Sequence, residues 1–153
     1  MPTAKDIRLD AARVRRESLY QALIGLEDAL STPIGDGERW RLRVAMAVDH
    51  AVNRVAEHVE SSESDDGLLV QVAADSPRLR CRIDRLKSDH DQLEKDAHQL
   101  SVALADLSDA DVPARGPQLR NQALEFLGLL ASHRQRGADL VYEAYQVDIG
   151  GDH

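Results

Sequence analysis

The chain has 153 residues, of which 42% are apolar, only 3% aromatic and 30% charged, with a net charge of −8. One domain with a core of Leu, Val and Ala follows, and that composition favours helix over sheet. The acidic balance speaks against nucleic acid or an anionic membrane as partner. Cys81 is the only cysteine, so an internal disulfide and a thiolate metal cluster are both excluded. No stretch approaches the ~20 apolar residues that cross a bilayer. Met1–Arg16 is charged throughout and has no apolar signal core, so the expected setting is the cytoplasm.

The periodicity predicts a first helix over about 6–30, with Ala12, Leu19, Leu23, Leu26 and Leu30 on its inner face. Pro33, Gly35 and Gly37 stop it. A second helix over about 38–62 turns Val44, Val48, Ala51, Val55 and Val59 inward, and the segment from Ser61 to Gly67 breaks it. Leu68, Leu69, Val70 and Val72 then predict a brief helix over one end of the molecule, because a lone strand would have no sheet to join. Ser76-Pro77 opens a third long helix over about 77–109, with a hydroxyl at the N-cap and Pro at the first helical position. The fourth, over about 117–146, follows Pro113–Pro117 and is closed by Gly150-Gly151. Short joints between amphipathic helices imply antiparallel neighbours. The expected fold is therefore all-α, an antiparallel up-down-up-down four-helix bundle.

Two of these helices carry a histidine in an otherwise apolar seam. The third helix aligns Leu79, Ile83, Leu86, His90, Leu93, Ala97, Leu100, Leu104 and Leu107 in alternating steps of four and three. The fourth aligns Leu119, Ala123, Phe126, Leu130, His133, Gly137, Leu140 and Ala144 in the same way. A core-facing imidazole needs a partner, and the two lie at nearly equal distances along the chain from the joint between their helices. Level histidines on facing helices are one way in which bundles build metal sites; they are equally what a hydrogen-bonded core pair looks like. On the second helix, angle places His58 in line with Val44, Ala51 and Val55 and leaves His50 on the wet face, whereas height favours His50; the angle decides for His58. Glu63 and Glu94 are the carboxylates nearest this level. Iron takes imidazole and carboxylate together. His98 falls on the solvated side, and the first helix offers Arg16 at the matching height.

These residues resemble the hemerythrin-like, HHE cation-binding domains over most of the chain. Asp89-His90-Asp91-Gln92-Leu93 is similar to the acid-His-x-x-Leu pattern of that family's third helix. His58 with Glu63 is similar to its second-helix pair, and His133 to its fourth-helix histidine. The resemblance implies a four-helix bundle around non-haem iron, mononuclear or di-iron. Arg16 stands where the family has its first-helix histidine, and Gly137 or Ala138 where it has a fourth-helix carboxylate. The metal ligands that remain are His58, Glu63, His90, Glu94 and His133, a set sufficient for one ion.

No Gly-rich phosphate loop, Cys-x-x-Cys or His-Glu-x-x-His occurs, and Ser132 and His133 point about 100° apart on a helix, so nothing marks an enzyme. Gly137 makes room for a helix, a water or a ligand. Tyr142 and Tyr145 form a homodimer contact or pack on the short helix. Two functional readings stand: a hemerythrin-like protein binding iron or another divalent metal for oxygen, redox or iron sensing, and a metal-free bundle acting as an interaction or regulatory module. Arg16 favours the second.

Overall fold

A computed structural model describes residues 1–147; Gly150-Gly151 and His153 lie outside the described residues. Helix α1 runs over Ala4–Leu30, α2 over Glu38–Glu63, the short α3 over Leu68–Asp75, α4 over Arg80–Asp106 and α5 over Val112–Val141. No strand occurs among the described residues. The fold is an all-α four-helix bundle. In it α1 packs on α2 and α5, and α4 packs on α2 and α5, so the four long helices close a ring around one axis.

Local chemistry sets the helix ends. Thr3 caps α1 in a reciprocal capping box with Asp6. Gly37, the only described residue with left-handed φ, at 50°, turns the chain into α2. Pro77 does not open the α-helix directly: Pro77–Leu79 forms a 3-10 turn, and α4 begins at Arg80. Helix α4 stops at Asp106, short of the expected limit, because Leu107 turns extended. Helix α5 starts earlier than the prolines suggested. Pro113 occupies the first turn, where its missing N–H is an orphan in any case, and Pro117 follows one turn later, forfeiting only the bond to the Pro113 carbonyl. Beyond Val141 the helix widens into a π-turn over Tyr142–Val147.

The expected inner faces are buried almost in full, including all nine residues of the α4 seam. The core is nevertheless split. The larger cluster holds Leu26, Trp40, Val55, Leu93, Phe126 and Leu130. The smaller one lies under α3 and holds Leu69, Val72, Ile83, Leu86, Leu140 and Tyr145. Tyr145 thus packs against the short helix, while Tyr142 stays exposed. A polar layer lies between the two clusters.

Gly67 joins α2 to α3 at close quarters. A methyl group there would lie 2.3 Å from the Ser62 carbonyl oxygen and 2.8 Å from that of Ser61. Gly25, in the middle of α1, has open space around the same position. We therefore expect Gly67→Ala to lower stability by about 1–3 kcal/mol through overpacking, and Gly25→Ala to raise it by about 0.5–1 kcal/mol. Urea midpoints of the two variants check both signs.

Candidate metal centre

The polar layer is made of three imidazoles. His58 comes from the last turns of α2, His90 from α4 and His133 from α5. His90 and His133 are 1% and 2% exposed, and His58 is partly buried. Their ring centroids are 5.1 Å apart for His58 and His90, 5.2 Å for His58 and His133, and 4.8 Å for His90 and His133. One nitrogen from each ring can be chosen so that all three lie within 4.8 Å of one another. A tetrahedral ion with metal–nitrogen distances of about 2.0–2.1 Å needs nitrogens roughly 3.3 Å apart. The set is therefore looser than a bound tetrahedral ion requires, and the rings would have to close in on one.

Carboxylates stand behind two of the rings. His90 Nδ1 donates to Glu63 Oε2 at 2.7 Å, and His133 Nδ1 donates to Asp89 Oδ2 at 3.1 Å. An ionised carboxylate can only accept, so both rings carry a proton on Nδ1, and in the neutral ring Nε2 is then the lone pair. The same Asp89 oxygen accepts from Arg136 Nε and Nη2 at 3.0 and 2.8 Å. His58 Nε2 meets His133 Nε2 at 3.1 Å. Since His133 Nε2 accepts, His58 Nε2 donates, which leaves His58 Nδ1 as an acceptor. That atom is buried and has no partner. For His58 to ligate through Nε2 its proton must move to Nδ1.

Electrostatics disfavour a second proton on two of the three rings. Burial, reinforced by the charges of His133, His90 and Arg16, pushes His58 down to about 3. Burial also lowers His133, against the pull of Asp89. Burial would raise the Asp89 carboxyl, but the hydrogen bonds from His133 and Arg136 hold it below its ordinary value. Arg16 is half-buried; burial and the nearby charges of Arg134 and Arg13 lower its affinity for a proton, although a guanidinium stays charged.

A cavity of about 310 Å³ adjoins the rings and is lined by all three histidines together with Arg16, Arg134 and Gly137. A methyl group on Gly137 would meet nothing within 4 Å. This glycine therefore opens the α5 seam to the cavity and does not serve close helix packing.

Of the five expected ligands, the structure brings His58, His90 and His133 together. Glu63 reaches the cluster from behind, through His90. Glu94 is exposed on α4 and stays away: the buried stripe leans toward Leu86 and Leu93, which turns the position after Leu93 outward. His50 and His98 are exposed. Sequence reasoning quoted Asp89 for its pattern and missed its contact with His133, as it missed Arg136. A signal existed, since a residue next to a core histidine sits about 100° round the helix, at the flank facing a neighbour. Comparison with family models, curated proteins and solved structures gives no match.

The depressed His58 makes the metal-free protein acid-sensitive. Its folded value lies below the unfolded one near 6.5, so its contribution is complete above pH 6.5 and is lost as pH falls toward 3. Discounted for partial exposure, the loss between pH 7 and pH 5 should be about 1–2 kcal/mol. Urea midpoints at the two pH values should show it. The dependence over this window should flatten in the His58→Leu protein.

Proposed function

We propose that this protein binds one divalent transition-metal ion through His58, His90 and His133. The observation that carries the reading is the convergence of three core imidazoles from three helices on one point. Imidazole suits Zn, Fe, Cu and Ni, and iron is the ion that the hemerythrin-like resemblance implies. Glu63 and Asp89 support two of the rings from the far nitrogen, the arrangement that fixes tautomer and orientation for ligation. His58 lacks such a carboxylate, and its orphaned Nδ1 is the weak point of the site.

One ion fits better than two. The two carboxylates that touch the rings are committed to Nδ1 atoms and to Arg136, so neither is free to bridge a pair of ions. Arg16 lies near enough to His58 to repel a proton on it, and it would repel a second metal ion in the same way. The three rings line the cavity, which gives a bound ion an open side for a small exogenous ligand. An ion so placed would serve as a Lewis acid or redox centre. Oxygen, redox or iron sensing is the function that suits it.

A second reading has its own observation. The hydrogen bonds from His58 to His133 and from His133 to Asp89 form a chain that needs no ion. A metal-free bundle acting as an interaction module is consistent with it.

Metal analysis of untagged protein, followed by titration with Zn²⁺ and with Fe²⁺ under argon, separates the two. We expect one equivalent to bind. Free ion at a hundredfold excess over Kd should stabilise the fold by about 2.7 kcal/mol. His90→Ala should abolish uptake and His98→Ala should leave it intact. Uptake of no ion by the parent protein, or full uptake by the His90→Ala protein, sinks the three-histidine reading.

A further inference from the structure

We propose that the cavity beside the three imidazoles is a binding site for a medium-sized organic carboxylate, with its charged end held by Arg16 and Arg134 and its apolar body against the helices that line it. The site borders the proposed metal position but does not depend on a bound ion.

The first observation is an unbalanced charge. Arg16 and Arg134 both line the cavity, and Arg134 lies close enough to act on Arg16 as a like charge. Neither has a carboxylate partner among the described residues. The nearby acids are engaged elsewhere: Glu57 pairs with Arg15 and Arg54, Glu63 with His90, and Asp89 with His133 and Arg136. Asp66 also lines the cavity, but it is exposed and makes no ion pair with either arginine. Two neighbouring guanidiniums at a water-poor wall repel each other, and an anion between them removes that cost.

Unmet hydrogen-bonding capacity is the second observation. Only three buried side-chain nitrogens or oxygens lack a partner among the described residues, and two of them, Arg134 Nε and His58 Nδ1, belong to residues lining this cavity. Arg134 already stacks on Tyr20, its guanidinium carbon 4.3 Å from the ring centre, which fixes its orientation. Arg134 Nε is buried without an acceptor, so the group gains from an anion brought within its reach.

Size and polarity of the remaining wall define the rest of the ligand. Leu19, Leu69, Leu86 and Leu140 line it with Gly137. A volume of about 310 Å³ lies at the small end of the roughly 300–1,000 Å³ usual for small-molecule pockets, so a short-chain ligand suits it better than a large one. Inorganic phosphate would leave most of the apolar wall uncovered. An alcohol would leave the arginines without an anion. Octanoate satisfies both demands.

The test uses the full chain after chelation, titrated calorimetrically with octanoate, octanol and inorganic phosphate. Octanoate should bind at one to one and at least tenfold more tightly than either of the others. Arg16→Leu and Arg134→Leu should each weaken it at least tenfold. Gly137→Leu, whose side chain grows into open space, should abolish binding while the helical circular dichroism is retained. The proposal is overturned if octanoate does not bind, if octanol or phosphate matches it, or if the Arg16→Leu protein binds as before. Metal uptake is measured by titrating parallel samples of the same proteins with Zn²⁺ and with Fe²⁺. A protein that takes up no ion but binds octanoate refutes the metal reading alone, and one that loads metal but ignores octanoate refutes the carboxylate site alone.

Discussion

Three imidazoles at one level inside a Leu/Val core are the constraint on which the rest of this structure turns. Each ring brings two nitrogens into a region where an unpaired polar atom costs on the order of 1–3 kcal/mol. The bundle answers by splitting its core, with one apolar cluster beneath the layer and another above it. The rings then find partners sideways, between helices, in Glu63, Asp89 and one another, with His58 Nδ1 left over. Those bonds cross from α2 to α4 and from α4 to α5, so they also fix the register in which the helices face each other. A leucine layer would pack at lower cost but would specify nothing about height.

Charge is arranged in two shells about this layer. Carboxylates lie behind the rings on the outer side, where Arg136 neutralises Asp89. On the cavity side lie Arg16 and Arg134, which have no acid partner among the described residues, together with the paired Arg15 and the exposed Asp66. Between the carboxylates behind His90 and His133 and those two arginines the field therefore runs from negative to positive. Such a field favours imidazole basicity toward the centre and anions in the open space. The two proposals on function draw on opposite sides of the same arrangement.

The fold was legible because α4 and α5 each repeat one apolar position every three or four residues without a break, and because Pro and Gly punctuate the joints. Helix limits were less so. Pro113 and Pro117 read as a linker, yet proline is tolerated in a first turn, and α5 extends back to Val112. The angle of His58 on α2 was a better guide than its height, because height needs the end of α2 and angle needs only the neighbours. Glu94 misled because seam membership was judged by distance from His90, whereas burial follows the lean of the whole stripe. The contacts of Asp89, Arg136 and Arg134 were hidden for a different reason. They depend on which flank of each helix faces which neighbour, and that is set by packing of all four helices at once.

The position of the layer near one end of the bundle completes the argument. Midway along four long helices, a polar layer would be covered on every side by neighbouring helices. Here α2 ends five residues after His58, α3 folds over the end, and the N-terminal half of α1 contributes Ile7, Ala12 and Arg16 to a wall beside the rings and not to the main core. The seam of α5 is interrupted at Gly137, on the side where a side chain would otherwise fill the space. A binding site needs a satisfied outer shell and also a way in. The short helix, the part-docked α1 and the mid-helix glycine together supply the second requirement, at the level where Glu63 and Asp89 supply the first.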